Sequence, residues 1–241
     1  MIIISAGFRK SASTLIYDFE VGLIGKFSNR KGQKELERFS TGRGRAYRGR
    51  LDLKTFLILL YINFRHGDVV LKTHGSPTFF IELLISLGLA KATYTYRDPR
   101  DVILSMMDHG KRTREKDVHG ENTKLKKGFS DVFSPEDTMP YINEDIQAWY
   151  KWSSLKNVLT IEYENLMANK EKELGEIASF LGFEGKEADL EELVQKYSNF
   201  KNNNFNKGEA GRYLSEMSPD SLEYLKKYIG NDLKKMGYSI N

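Results

Sequence analysis

Three segments of the chain combine basic and hydroxyl side chains as anion chemistry requires. In Ser5-Ala-Gly-Phe-Arg-Lys-Ser-Ala-Ser-Thr14, Lys10 and the hydroxyls of Ser11, Ser13 and Thr14 surround a turn of small residues that leads into an amphipathic stretch. Unbonded backbone N–H groups and the helix dipole at such a start favour a phosphate or sulfate. The turn lacks the G-x-x-x-x-G-K-[ST] spacing of nucleoside-triphosphate loops, because no second glycine stands between Gly7 and Lys10. Leu71-Lys-Thr-His-Gly-Ser-Pro77 supplies His74, suited to removing a hydroxyl proton, and Lys72, suited to stabilising a developing oxyanion. In Tyr94-Thr-Tyr-Arg-Asp-Pro-Arg-Asp-Val-Ile-Leu-Ser105, Asp98 before Pro99 caps a helix that carries Ser105 about two turns along, so that Arg97 and Ser105 reach one anion. Each segment also has a plainer reading: a Ser/Thr helix cap, a loop histidine, and Arg97 and Arg100 paired with Asp98 and Asp101.

The apolar pattern supplies elements to position them. Ile2 to Ile4, Val69 to Leu71, Thr93 to Tyr96 and Val158 to Ile161 are short, rich in β-branched or aromatic residues, and read as strands. Leu15, Phe19 and Leu23, then Phe80, Leu84 and Leu87, then Val102, Met106 and His109, repeat at helical spacing. Further helices are expected at Glu144 to Ser154, Lys170 to Leu181, Ala188 to Tyr197 and Ser218 to Met236. Repeated βαβ order predicts a three-layer α/β sandwich around a central parallel sheet. Ligands sit beyond the carboxyl ends of such strands, so the three segments should face one crevice. Trp149 and Trp152, one turn after Ile146, fit a buried helix face better than a carbohydrate platform.

A chain of 241 residues with 40% hydrophobic and 12% aromatic composition can bury a sizeable core, and we expect one domain. It should carry a mobile basic loop at about residues 28–50 and a solvated, lid-like insertion at about 110–140. The absence of cysteine excludes disulfides, thiolate zinc sites and thiol catalysis, and points to the cytoplasm. The longest apolar run, Phe56 to Ile62, is too short to cross a membrane, and Met1 to Ser5 reads as a strand rather than a leader. No membrane partner is expected. A net charge of +4 tolerates an anionic ligand without demanding nucleic acid.

Taken together, the segments resemble the sulfotransferase family that uses 3′-phosphoadenosine 5′-phosphosulfate. Lys10-Ser-Ala-Ser-Thr14 is similar to its 5′-phosphosulfate loop, Lys72-Thr-His74 to its catalytic segment, and Arg97 with Ser105 to its 3′-phosphate pair. Leu159-Thr-Ile-Glu-Tyr-Glu-Asn-Leu166 resembles its Tyr-Glu-Asp-Leu strand end, and Asn206-Lys-Gly-Glu-Ala-Gly211 its nucleotide-closing loop. The resemblance implies a P-loop-like α/β fold and a reaction that needs no metal. It implies that Lys10, Ser11, Ala12, Ser13 and Thr14 hold the phosphosulfate, that His74 is the general base, and that Lys72 supports the transferring group. It further implies that Arg97, Ser105, Lys207 and Gly208 hold the 3′-phosphate, and that Tyr163 lies near the adenine. The products would be a sulfated hydroxyl or amine and adenosine 3′,5′-bisphosphate (PAP).

Four departures stand out: Ala12 for a loop glycine, which fits only if its φ is negative; Leu15 for a tryptophan; Asn206 for an arginine; and Arg212-Tyr213 for an acidic-aromatic pair. The arginines at 43, 45, 48 and 50 lead us to expect an anionic or polyhydroxylated acceptor such as a glycan. Two rivals are a small-molecule kinase, which lacks its phosphate loop here, and a nucleic-acid binder using Arg43 to Arg50, which leaves the strand-end segments unexplained.

Overall fold

A computed structural model describes residues 1–40, 45–118, 128–183, 187–199 and 209–240. Its elements are β1 (Ile2–Gly7), α1 (Ser13–Phe27), α2 (Lys31–Arg38), α3 (Leu53–His66), β2 (Val69–Thr73), α4 (Phe79–Ser86), β3 (Ala90–Tyr96), α5 (Pro99–Val118), α6 (Pro135–Ser153), β4 (Val158–Glu162), α7 (Tyr163–Ala168), α8 (Lys170–Leu181), α9 (Glu187–Ser198), α10 (Tyr213–Glu216) and α11 (Pro219–Lys235). The four strands form one parallel sheet in the order β2-β1-β3-β4, the α/β architecture expected from the strand and helix order. Ser5 of β1 sits in register with Lys72 on one side and Thr93 on the other. The chain after β1 leads to one side of the sheet and the chain after β3 to the other. The ends of β1 and β3 are therefore a topological switch point.

Two compact units can be distinguished: residues 1–96 with 147–204, which carry the sheet, and 97–146 with 205–241, which are helical. In the first, Ile3, Val70 and Ile161 pack one sheet face against α1, α8 and α9 through Leu15, Phe19, Leu23, Leu174, Ile177 and Leu193. The opposite face, with Ile2, Ile4, Leu71 and Tyr94, meets α3 and α4, and Trp152 stacks on Tyr94 at 6.1 Å. Trp152 is fully buried and belongs to this core, while Trp149 leans half-buried on Tyr96.

The basic segment is described over residues 28–40 and 45–50. Its first half forms α2, whose Gln33 accepts from the Val70 amide at 2.7 Å. Beyond it, Ala46 O accepts from Lys72 N at 2.7 Å and Arg48 N donates to Lys72 O at 3.0 Å, so Ala46–Arg48 continues the sheet past β2. Edge groups of β2 that would otherwise seek another strand are thereby satisfied. Of the expected lid, residues 119–127 lie outside the described residues. Within its span α5 continues to Val118 and α6 begins at Pro135, while Arg114 donates to Ser130 O and Val132 O at 3.0 and 2.8 Å. Arg43, Lys207 and Gly208 lie outside the described residues.

Candidate active site

The turn after β1 is pinned by Thr95 of β3. Phe8 N donates to Thr95 O at 2.8 Å, and the buried Ser11 hydroxyl meets Phe8 O at 2.8 Å, Thr95 O at 3.2 Å and Thr95 Oγ1 at 2.9 Å. Ser11 therefore spends its hydroxyl on the protein and can offer an anion only its N–H. Gly7 admits this closeness, since a Cβ there would stand 2.1 Å from Thr95 Oγ1. Lys10 and Ala12 have φ of 64° and 63° while Ser11 between them does not, an alternation that turns successive N–H groups inward as a nest. Ala12 at the N-cap makes no side-chain capping hydrogen bond, which leaves the N-terminus of α1 suited to an anion.

The positive φ of Ala12 corrects the expectation that an alanine here keeps φ negative. A Cβ in this region is strained by about 1–2 kcal/mol, partly offset by the lower chain entropy of alanine. Ala12→Gly is expected to stabilise the fold by about 0.5–1 kcal/mol in urea melts; an unchanged or lower midpoint would show that the turn carries no such strain.

At the end of β2, Lys72 Nζ donates to Thr14 Oγ1 at 2.6 Å, joining the second segment to the first. His74 is half-buried, and its Nδ1 lies 2.7 Å from Gly7 O. A carbonyl only accepts, so Nδ1 carries the proton and Nε2 the lone pair. Burial, reinforced by the charges of Lys72 and Arg9 and opposed by the Gly7 carbonyl, pushes the imidazole down to about 3. It is therefore neutral at physiological pH, the form a base requires. Lys72 is lowered to about 8 by burial and by Arg45, against the pull of Asp18 and Glu20.

The contacts of other groups here gave no sequence signal. Tyr47 places its ring 5.9 Å from that of His74, carried there by the Ala46–Arg48 edge segment. Arg45 is fixed on Asp18 by two hydrogen bonds of 2.8 Å, and Arg48 donates to Phe39 O. These two arginines hold the segment to the fold, while Arg50 is exposed. Trp152 Nε1 donates to Gly75 O at 3.0 Å and anchors the loop after His74. Tyr163 is buried at the start of α7.

In the helical unit Arg97 and Ser105 are both buried. Arg97 Nη2 donates to Glu209 O at 2.6 Å and to Asp101 at 3.2 Å. Asp101 also accepts from Gly211 N at 2.8 Å and Tyr213 N at 3.1 Å, so one buried carboxylate ties Arg97 to the C-terminal loop. The expected pairing of Arg100 with Asp98 is present, with two side-chain hydrogen bonds of 3.0 and 2.7 Å, and its guanidinium also stacks on Tyr213 at 3.7 Å. Arg212 bridges Asp108 and Glu216 at 2.9 and 2.7 Å.

Solved structures with similar backbones include a mouse sulfotransferase complexed with PAP, at 15% identity over 97% of this chain and 84% of that one, with a TM-score of 0.56. They also include retinol dehydratase in complex with androsterone and inactive cofactor PAP (19%, 97% and 80%, 0.57) and the sulfotransferase domain from the curacin biosynthetic pathway (16%, 100% and 98%, 0.54). Such identities speak for the fold. A comparison with curated proteins found no sequence match. The family described as "Sulfotransferase domain" matches residues 62–237, which begin in α3, take in Lys72, His74, Arg97 and Ser105, and end just after α11. The chain thus belongs to the sulfotransferase family, as an enzyme of sulfuryl transfer.

Proposed function

We propose that this enzyme moves a sulfuryl group from 3′-phosphoadenosine 5′-phosphosulfate to a hydroxyl or amine. The observation that carries this reading is the joining of the two segments: Lys72 reaches Thr14 of the anion turn, and His74 is held on Gly7 in its proton-accepting tautomer. The acceptor gives its proton to His74 Nε2 and attacks sulfur. The bond from sulfur to the bridging phosphate oxygen breaks, and PAP leaves with the electron pair. Lys10 and the N–H groups of Ser11, Ala12, Ser13 and Thr14 hold the phosphosulfate and steady the bridging oxygen as it gains charge. Lys72 neutralises the transferring group. The similar mouse sulfotransferase and retinol dehydratase structures are complexes with PAP, which supports the same donor here. Arg97 and Ser105, with Lys207 and Gly208, bind the 3′-phosphate, Arg97 trading its contact with Glu209 O for it, and Tyr163 lies on the adenine side. Tyr47, whose ring lies 5.9 Å from that of His74, contacts the acceptor in this reading.

PAP is expected to raise the melting temperature by several degrees at a hundredfold excess over its Kd, and ADP, without a 3′-phosphate, far less. Equal stabilisation would remove the 3′-phosphate assignment. Mass spectrometry of a panel of alcohols, phenols, amines and glycans incubated with labelled donor then identifies the acceptor.

A further inference from the structure

Helix α3 exposes side chains that a folded chain ordinarily buries. Its buried positions are Thr55, Leu59 and Ile62, which face the sheet. On the outward side Leu53, Leu57, Tyr61 and Phe64 are 48%, 55%, 61% and 88% exposed. At 100° per residue these four fall within an arc of about 80°, one continuous stripe roughly 16 Å long. The stripe extends sideways: Phe56 meets Phe80 at 5.6 Å, Phe80 meets Phe79 at 5.7 Å, and Phe79 is 71% exposed at the start of α4. Isolated exposed apolar residues are ordinary, but a run of rings along one ridge is not.

Charge chooses between occupants. Between Leu53 and Gly67 the chain has no acidic residue, and the exposed Lys54 and Arg65 border the stripe near its two ends. Neighbouring α2 adds exposed Lys31 and Lys34, while its Arg38 is paired with Glu35 at 2.6 Å and Phe39 is half exposed behind them. A second copy docked stripe to stripe would bring the Lys54 and Arg65 cations of the two copies together, and the nearest exposed carboxylate, Asp52, already caps α3 through Thr55 N and Thr55 Oγ1. An anionic surface complements them instead, and Phe64 stands out from a ridge as a wedge does, the form that enters a layer of headgroups. That no helix among the described residues is long and apolar enough to cross a membrane does not bear on this, since an interfacial helix lies in the plane.

We propose that the outward face of α3, with Phe79 beside it, docks on an anionic lipid surface, the apolar stripe entering the interface and Lys54 and Arg65 pairing with headgroups. The proposal rests on exposure and charge, independently of the donor and the chemistry of His74. Its test is co-sedimentation with phosphatidylcholine vesicles containing about a third phosphatidylserine, followed by the same measurement on pure phosphatidylcholine. Wild type should partition onto the anionic vesicles at least tenfold better than onto neutral ones, and less as salt rises. Leu57→Ser with Phe64→Ser should lower binding at least tenfold. Lys54→Glu with Arg65→Glu should abolish the preference for anionic lipid. Urea melts of both pairs matching wild type confirm that the fold is retained, as expected for exposed positions. No binding of wild type to anionic vesicles overturns the proposal, as does binding that both pairs leave unchanged. A dimer in solution that the serine pair dissociates, without vesicle binding, would assign the face to a second copy. Capture of an acidic protein without vesicle binding would assign it to that partner.

Discussion

His74→Ala is expected to lower turnover by about a hundredfold to ten-thousandfold while the melting shift produced by PAP stays as in wild type. The base touches the acceptor proton and contributes little to holding the nucleotide, so chemistry and donor affinity separate in this variant. The wild-type pH profile carries the same information. An ordinary histidine near 6.5 would silence the base below neutrality, whereas His74, held down to about 3 chiefly by burial, keeps its lone pair through the weakly acidic range. Its contribution to kcat/KM should therefore stay level from about pH 8 to pH 5. Stability follows the opposite limb. Below 6.5 the unfolded chain takes up a proton that folded His74 refuses, so this residue erodes stability as pH falls from 6.5 toward 3. Full activity of His74→Ala on any validated acceptor, or an acid limb near 6.5 that this variant removes, would sink the assignment.

The second large effect concerns Glu20, a fully buried carboxyl on α1. Its Oε1 accepts from Thr93 Oγ1 at 2.6 Å, while Oε2 and the neighbouring strand's Ser5 Oγ have no hydrogen-bond partner among the described residues. Burial raises it from 4.5 to about 7, with the nearby hydroxyls of Ser5 and Thr93 and the charge of Lys72 pulling the other way. The sign is that of a group that holds its proton better folded than unfolded. The folded state is favoured below 4.5, and the advantage is lost as pH rises from 4.5 through 7. A carboxyl displaced this far makes the ionised form about 3 kcal/mol costlier in the fold. Glu20→Gln keeps the acceptor for Thr93 and brings an amide donor toward the unpartnered Ser5. Relative to wild type, it should gain about 3 kcal/mol on going from pH 4 to pH 8. Urea midpoints at both ends measure this, and parallel pH dependences of variant and wild type would show that Glu20 ionises freely in the folded protein.

The sequence pattern revealed the strands because β-branched and aromatic runs such as Val69-Val70-Leu71 have few other uses, and register then follows from pairing. It hid α3, since Leu53–His66 is apolar nearly all round and shows no helical period. The solvent-facing Leu57 and Phe64 cannot be told from the buried Leu59 and Ile62 without a neighbour to define inside. It hid α2 because glycines later in the same basic stretch suggested a loop throughout. At the site, residue types indicated Lys10, Lys72, His74, Arg97 and Ser105, but partners depend on distant pairing. Ser11 looked like an anion ligand until Thr95, 84 positions away, claimed its hydroxyl. Asp101 looked like a simple partner for one of the neighbouring arginines, and only the fold sets it beneath Gly211 and Tyr213. The positive φ of Ala12 is likewise a property of the closed turn, which no residue type declares.

The strand order has a consequence for how the molecule is made. β1 lies between β2 and β3, and its partners are far along the chain: Ile2 pairs with Val69 and with Ala90, 88 positions later. No hairpin is available to shelter it. At ordinary synthesis rates the Ile2-Ile3-Ile4 run waits roughly 5 to 20 seconds after its own emergence before β3 exists to cover its second edge. Loop closure over such lengths is also slow, so the barrier to folding is one of topology more than of core quality. During that interval a short, uncharged, β-branched segment with both edges open is the part of this chain most at risk of joining another.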